Sequence, residues 1–166
     1  MENHAALPIV PFAESHTPEI LRVIGSVYAE YGMVFEPSGY DSDLTGIRRY
    51  YLDRGGWFAV LVDGDRVVGT VAAVPHDATT CEIKRVYLRP EYRGRGHGRA
   101  LLAHILGWAA GRGHRVAIAW SDVRLVTAHR VYERLGFQRF GERTVEDAEA
   151  SREYGLRKEL RQSPAR

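Results

Sequence analysis

The sequence predicts one α/β domain in which a mixed sheet is flanked by helices. The chain has 166 residues, of which 45% are apolar and 27% charged, and a chain of this size supports one sizeable hydrophobic core. Segments with the alternating pattern of strands are interspersed with segments whose apolar residues recur at helical spacing. No internal repeat, low-complexity tract or linker divides them. These observations together predict a single layered domain.

The first elements are a short edge strand and a helix. Residues 9–12 form an apolar run bounded by prolines, which is typical of an edge strand. Pro18 suits the first position of a helix. Apolar residues then recur at helical spacing as far as Tyr31, and Gly32 ends the helix.

A loop and a second helix follow. Residues 33–40 show no apolar period and predict a loop. Asp41 or Asp43 is a suitable helix cap, and apolar residues then share one helical face as far as the glycine pair at 55–56.

The middle of the chain predicts three consecutive strands. Residues 57–62 and 66–74 flank an Asp-Gly turn centred on Gly64, which indicates a hairpin. Residues 81–88 form the third strand of this group.

The second half alternates helices and strands. Its first helix carries a wide apolar stripe, and Gly136 is a C-terminal cap for the second. The predicted elements are a helix at 99–112, a strand at 116–120, a helix at 125–135, and strands at 137–140 and 153–160. The whole order is β-α-α-β-β-β-α-β-α-β-β.

Several classes of protein are excluded by the same residues. The longest apolar runs are far shorter than the roughly 20 residues of a membrane helix, and residues 1–11 lack the pattern of a signal peptide. Cys81 is the sole cysteine, so no internal disulfide forms, as expected in a reducing compartment. We therefore expect a soluble, cytoplasmic protein.

The small net charge of +2 hides an uneven distribution. Residues 1–83 carry a formal balance of −7, and residues 84–166 carry +9. This asymmetry suggests an anionic ligand for the second half and a cationic one for the first. Arginine outnumbers lysine 21 to 2, which reflects a GC-rich genome.

The glycine-rich segment at residues 93–99, Arg-Gly-Arg-Gly-His-Gly-Arg, lies between a predicted strand and a predicted helix. Glycines let the backbone approach a ligand closely, and the first amides of a helix attract anions. The Gly-Lys-Ser/Thr of a Walker loop is absent, and Arg99 stands where a dinucleotide fingerprint needs glycine. The segment therefore predicts a phosphate-binding loop of another kind.

A second motif follows about 30 residues later, and the pair identifies a resemblance. Residues 132–137 read Tyr-Glu-Arg-Leu-Gly-Phe. They and residues 93–98 resemble two signatures of the GCN5-related N-acetyltransferase (GNAT) family, and residues 82–90 look like the fourth strand of that family. The resemblance implies a mostly antiparallel central sheet flanked by helices, with the fourth and fifth strands splayed.

The resemblance divides the single domain into three functional parts. It implies acceptor-side elements at 1–56, an acetyl-CoA-binding core at 57–140, and a C-terminal strand and tail at 141–166. Acetyl-CoA would lie between the strands at 81–88 and 116–120, with its pyrophosphate on the glycine loop. The implied cofactor-binding residues are Val86, Tyr87, Leu88, Arg93, Gly94, Arg95, Gly96, His97, Gly98 and Arg99.

Tyr132 stands at the family position of the acid that protonates the leaving thiolate. A thiol has a pKa near ~8.5 and a phenol near ~10, so a tyrosine beside a thiolate can donate a proton to it. A core aromatic with a wet hydroxyl is the alternative interpretation of this residue.

Glu82 matches the position of a base in some family members. Strand alternation predicts that Glu82, Lys84, Val86 and Leu88 share one face, which would direct Glu82 into the same gap as the thioester. A salt-bridged strand residue is the alternative, and Asp122 and His129 are other candidate bases, His129 because it titrates near neutrality.

One position departs from the family pattern. Leu125 stands where many members carry asparagine, so one cofactor contact is lost or replaced. The residues that we expect to contact the acceptor are Tyr31, Glu36, Asp41 and Asp122.

The expected function is direct transfer of an acetyl group from acetyl-CoA to a primary amine of a small cationic molecule. The alternatives are acetylation of a protein lysine or N-terminus, and a non-catalytic acyl-CoA-binding regulatory domain. No metal-ligand spacing and no basic stripe suited to nucleic acid are present. We expect a bacterial enzyme that is a monomer or a homodimer, without membrane or nucleic-acid partners.

Overall fold

The computed structural model describes residues 6–162, which form one seven-stranded sheet with helices on both faces. Residues 1–5 and the end of the expected tail, 163–166, lie outside this range. Short 3-10 turns connect several of the main elements. The strands are β1 (Ile9–Pro11), β2 (Trp57–Asp63), β3 (Arg66–Pro75), β4 (Thr80–Leu88), β5 (Val116–Asp122), β6 (Gln138–Thr144) and β7 (Arg152–Glu159). The helices are α1 (Thr17–Glu30), α2 (Ile47–Tyr50), α3 (His97–Gly111) and α4 (Val126–Arg134).

The sheet has the order β1-β2-β3-β4-β5-β7-β6. Only β4 and β5 pair in parallel, and the other neighbours are antiparallel. The expected mixed, mostly antiparallel sheet flanked by helices is confirmed. One core lies between the sheet and the helices α3 and α4, and a second lies under α1 and α2.

The prediction of one continuous second helix is wrong. The chain instead forms a 3-10 turn at Ser42–Thr45, the single turn α2, and another 3-10 turn at Leu52–Arg54. Gly46 interrupts the run with non-helical backbone angles, a φ of −143° and a ψ of 47°, and glycine is a poor helix former. The Asp41 side chain does not cap the first turn, because its oxygens are engaged elsewhere.

A β-bulge at Arg85 changes which residues of β4 share a face. Ala72 of β3 pairs with Lys84 and Thr70 pairs with Tyr87, so β4 carries one extra residue between these positions, where Arg85 has a φ of 57°. An extra residue reverses the alternation of side chains beyond it.

The shared face expected for Glu82, Lys84, Val86 and Leu88 is therefore wrong. Glu82 and Lys84 lie on the face of Tyr87, toward α1 and α2, whereas Val86 and Leu88 pack with the core on the α3 side.

Within residues 6–162, no helix combines the length and apolar character that crossing a membrane requires.

Candidate active site

The two central strands diverge and open a cleft in the sheet. β4 and β5 pair from Thr80 and Val116 as far as Ile83 and Ala119, and the pairing ends there. Beyond this point the bulged part of β4 continues with β3 alone, so its backbone groups on the β5 side face a cleft. A cavity of about 380 Å³ occupies this side of the protein.

The glycine loop, residues 93–99, forms one wall of this cavity. We term it the cofactor cavity because most of the predicted cofactor-binding residues line it. Gly94 and Gly96 have φ values of 73° and 83°, in the left-handed region that glycine enters without a steric penalty. Gly96 directly precedes α3, so the free amides of the first turn of the helix lie beside the cavity. Gly98 and Arg99 also line it.

The predicted cofactor-binding residues are mostly but not all on this cavity. Its lining includes Val86, Tyr87, Leu88, Arg93, Gly94, Gly96, Gly98 and Arg99. Arg95 and His97 do not line it: Arg95 is exposed, and His97 packs near the ring of Tyr92, 6.3 Å between centroids.

Arg93 is held at the cavity by Glu30, the last residue of α1, and lies near Tyr31, which follows the helix. Its guanidinium donates two hydrogen bonds to the Glu30 carboxylate, at 2.6 and 2.9 Å. It also lies 5.9 Å from the ring centroid of Tyr31. Tyr31, expected to contact the acceptor, instead lines the cofactor cavity.

Tyr132 of α4 lies between the cofactor cavity and a smaller chamber on its far side. Its ring is 4% exposed and packs edge-on against Phe137, 5.0 Å between centroids. Burial raises the pKa of Tyr132, and Tyr87 raises it further. The phenol therefore stays protonated through the neutral and mildly alkaline range, as a proton donor must.

The smaller chamber adjoins both the cofactor cavity and a wider acceptor-side cavity of about 370 Å³. It shares Val86, Leu125 and Tyr132 with the cofactor cavity. It shares Lys84 and Trp120 with the wider cavity. Leu125, at the position that departs from the family pattern, is thus an apolar part of the wall at the junction.

A buried ion-pair network lies beneath the acceptor side. Arg85 donates to Asp41 at 2.9 Å and to Asp43 at 3.0 Å, and the hydroxyl of Tyr28 donates to Asp41 at 3.0 Å. The other oxygen of Asp41 accepts the amide of Glu36 at 2.9 Å. Asp41 is only 1% exposed, so it supports the site from below and does not face the acceptor cavities.

Two acidic residues expected to contact the acceptor, Glu36 and Asp41, do not line the acceptor-side cavities, and several acidic groups of the first half are paired with arginines. Glu30 pairs with Arg93, and Asp41 and Asp43 pair with Arg85. The side chain of Glu36 is not part of the lining of the acceptor cavities. The sequence could not show these pairs, because their members are 42 to 63 residues apart.

The three candidate bases have different surroundings. Glu82 lines the wider cavity, and its carboxylate lies 3.7 Å from the Lys84 ammonium. Asp122 lines the smaller chamber and accepts two hydrogen bonds from the Arg124 guanidinium, at 2.9 and 2.8 Å. His129 is buried, and its Nε2 lies 3.0 Å from Ser121 Oγ.

Ser121 is a chamber residue that is not among the bases predicted from the sequence. It lines the smaller chamber together with Tyr132. A serine eight residues before a histidine is not a recognisable sequence motif. The two side chains meet only because the turn from β5 into α4 brings them together.

Cys81 does not have the properties of a nucleophile. Its side chain is fully buried, and burial raises the pKa of the thiol to about 11. The thiolate is the reactive form of cysteine, so at neutral pH this thiol is inert. Within residues 6–162, no three histidine, cysteine or acidic side chains are grouped as metal ligands.

Comparison with known proteins gives one family. Residues 24–137 match the model of the acetyltransferase (GNAT) family. The human N-acetylaspartate synthetase is 36% identical over 104 residues, which are 60% of this chain and 34% of that protein. The chain therefore matches about a third of the length of this curated relative.

Solved structures share the whole fold at low identity. An acetyltransferase of the GNAT family from Staphylococcus aureus superposes with a TM-score of 0.81 and 18% identity, covering 94% of this chain and all of that one. An aminoglycoside 6'-N-acetyltransferase complexed with coenzyme A gives a TM-score of 0.72 and 16% identity, covering 96% of this chain and all of that one.

Proposed function

Since the chain belongs to the acetyltransferase (GNAT) family, we propose that it transfers the acetyl group of acetyl-CoA directly to a primary amine of a small molecule. One observation carries this proposal. The cavity beside the glycine loop and the smaller chamber share Tyr132 in their walls, and the wider cavity adjoins the smaller chamber. A thioester and an amine that enter from opposite sides would meet at this tyrosine.

The residues of the cleft fit acetyl-CoA as the donor. Beyond Ile83, the edge of β4 that faces β5 has no strand partner, and such an edge can pair with the amides of a pantetheine arm. The amides at the start of α3, together with Arg93 and Arg99, suit a pyrophosphate. Arg93 would exchange its contacts with Glu30 for the phosphates.

The proposed reaction needs no covalent enzyme intermediate. The amine nitrogen attacks the thioester carbon and gives up one proton to a base, the carbon–sulfur bond breaks, and the Tyr132 hydroxyl gives its proton to the departing thiolate. Solvent then restores the proton of the tyrosine. The buried, protonated Cys81 agrees with direct transfer.

A cationic amine remains our proposed acceptor, but the residues that support this proposal differ from those first expected. Six acidic and four basic side chains line the two acceptor-side cavities, a formal balance of two negative charges. The acidic set is Asp43, Glu82, Asp122, Asp147, Glu149 and Glu153. Negative lining raises the local concentration of a protonated amine. The name of the human relative denotes an acidic product instead, so the test must include aspartate.

The experiment is a thiol-release assay with acetyl-CoA and a panel of acceptors, followed by mass spectrometry of the products. The panel contains a polyamine, an aminoglycoside, a lysine peptide, neutral amines and aspartate. We expect one acetylated small amine for each CoA released. Acetylation of the peptide alone would favour a protein acetyltransferase. Binding of acetyl-CoA without transfer to any acceptor would contradict the proposal and favour a regulatory domain.

A further inference from the structure

We propose that Ser121 and His129 form a proton relay that takes the proton from the acceptor nitrogen during acetyl transfer. This inference rests on the proposed function, because a relay is needed only when an amine attacks a thioester in this cleft. Ser121 is the member that contacts the acceptor, and His129 acts through it.

The turn from β5 into α4 places both groups beside the reaction site. Ser121 is near the end of β5, beyond the last residue that pairs with β4, and its side chain lines the smaller chamber with Tyr132. His129 is three residues before Tyr132 on α4, and residues at this spacing share one face of a helix. The hydroxyl, the imidazole and the phenol therefore lie on one side of the cleft.

The contact between the two side chains has the geometry of a relay. His129 Nε2 and Ser121 Oγ are 3.0 Å apart, a hydrogen-bonding distance. A serine hydroxyl can donate its proton to a neutral imidazole nitrogen while its lone pair accepts another proton. His129 itself does not line the chamber, so Ser121 is its route to the acceptor.

The surroundings of His129 keep its ring neutral and ready to accept a proton. Burial lowers the pKa of His129, and the charge of Arg139 on β6 lowers it further. Asp122 on β5 and Glu133 on α4 act in the opposite direction without reversing the shift. From β7, the ring of Tyr154 packs edge-on against the imidazole at 5.5 Å. A histidine whose pKa is below its ordinary value is uncharged at pH 7.

The competing carboxylates are paired with cations. Asp122 is held by two hydrogen bonds from Arg124, and Glu82 faces Lys84. The carboxylate oxygens of both residues are thus already engaged by these cations. The hydrogen-bonding nitrogen of His129 faces a hydroxyl instead.

The proton transfer balances within the reaction. When the amine nitrogen bonds to the thioester carbon, it becomes positively charged and acidic. Its proton passes to Ser121 Oγ while the original serine proton passes to His129 Nε2, which leaves an amide and an imidazolium. The thiolate takes its proton from Tyr132, and solvent then discharges the imidazolium and reprotonates the tyrosine.

The test compares Ser121→Ala and His129→Gln with the wild type on the best amine of the panel. Glutamine can still accept a hydrogen bond from Ser121 but cannot take a proton. We expect each variant to lose kcat by about a hundredfold, the scale of general base catalysis, with the KM for acetyl-CoA retained. The double variant should lose little more, because the two groups act as a unit.

The pH profile separates a relay from a structural contact. In the wild type, kcat/KM for the amine should fall as pH drops through the pKa of His129, because the imidazolium cannot accept a proton. His129→Gln should remove this acidic limb and leave only the limb set by deprotonation of the amine itself. His104→Gln is the matched control, since it removes another partly buried helical histidine that bonds Trp57, and it should change neither kcat nor the profile.

Four results would overturn the relay. An active enzyme whose kcat and pH profile are unchanged in both variants refutes it and leaves the proposed function standing. Loss of the acidic limb in Glu82→Gln instead assigns the proton to Glu82. An acetyl ester on Ser121, seen in the intact mass after incubation with acetyl-CoA, shows a nucleophile in place of a relay. A wild type inactive on every amine refutes the proposed function, and the relay with it.

Discussion

Single residues decide the chemistry of this cleft, and Tyr132 is the most informative of them. The residue lines both the cofactor cavity and the smaller chamber, and burial keeps its hydroxyl protonated. A phenol in this position can protonate a thiolate without an approach of bulk water. The alternative, a core aromatic whose hydroxyl has no role, predicts a different kinetic result.

Tyr132→Phe removes only the hydroxyl, so we expect kcat to fall by about a hundredfold or more while the KM for acetyl-CoA stays similar. Steady-state kinetics of thiol release measure both. Phe137→Leu, a change in the aromatic neighbour of Tyr132, is the control for packing and should alter stability more than kcat. Turnover of wild-type size in Tyr132→Phe would assign the proton to water and leave Tyr132 as a packing residue.

At the scale of elements, the glycine loop before α3 carries the proposed cofactor affinity. Gly98 is within the helix, has no left-handed φ, and a Cβ placed there meets nothing within 4 Å. A side chain at this position can therefore be added without a clash inside the protein, and it would lie at the cavity that we propose for the cofactor.

Gly98→Val should fold and weaken acetyl-CoA binding by well over tenfold, which is more than about 1.4 kcal/mol. Calorimetric titration measures the dissociation constant. Gly107→Val is the matched control, because Gly107 is on the same helix, also has open space around its Cβ, and is absent from the cavity lining. Equal affinity in Gly98→Val and the wild type would remove the cofactor from this loop.

The bulge in β4 lies between the cofactor cavity and the ion-pair network of the acceptor side. Arg85 occupies it with a positive φ and reaches both Asp41 and Asp43. Removal of one partner from a buried ion pair costs about 3–5 kcal/mol. We expect Arg85→Leu to lower the free energy of unfolding by this amount, as measured by denaturant titration. Arg48→Leu, which breaks an exposed pair with Glu14, should cost less than about 1 kcal/mol.

Most elements could be predicted from local sequence, and the bulge and the broken second helix could not. The strands at β2, β3 and β4 and the helix α1 follow apolar patterns with glycine or proline at their ends, and their observed bounds differ by a residue or two. The second helix is divided at Gly46, and its expected cap, Asp41, is bound to Arg85 instead. The contact between Asp41 and Arg85 joins residues 44 positions apart, which local sequence cannot show. Local sequence likewise cannot show the contact between Ser121 and His129 or the ion pair of Glu30, because both depend on how the chain folds.

For the whole molecule, the uneven charge of the two halves of the sequence corresponds only in part to the two sides of the cleft. The basic second half supplies the glycine loop and its arginines. The acceptor-side cavities draw acidic residues from both halves, with Glu149 of the β6–β7 connection accepting the amide of Val34 at 3.0 Å. The division at residue 83 is thus a weaker guide to the acceptor than the lining itself.

If this lining attracts a protonated amine, activity on polyamines should exceed that on neutral amines and aspartate, and added salt should reduce the difference. Charges at the surface are screened over about 8 Å at physiological ionic strength. The measurement is kcat/KM across the panel at two salt concentrations, and neutral acceptors serve as the internal control. A preference for aspartate, or a preference indifferent to salt, would contradict a cationic acceptor.

The central claim is that acetyl-CoA lies between β4 and β5 with its thioester at Tyr132, and a crystal structure with acetyl-CoA tests it most directly. We expect the pantetheine arm along Val86 and Leu88, the pyrophosphate on the amides at the start of α3, and the sulfur within about 3.5 Å of the Tyr132 hydroxyl. The acetyl group should point into the chamber that Ser121 lines. A cofactor bound elsewhere, or a sulfur directed away from Tyr132, would contradict the account.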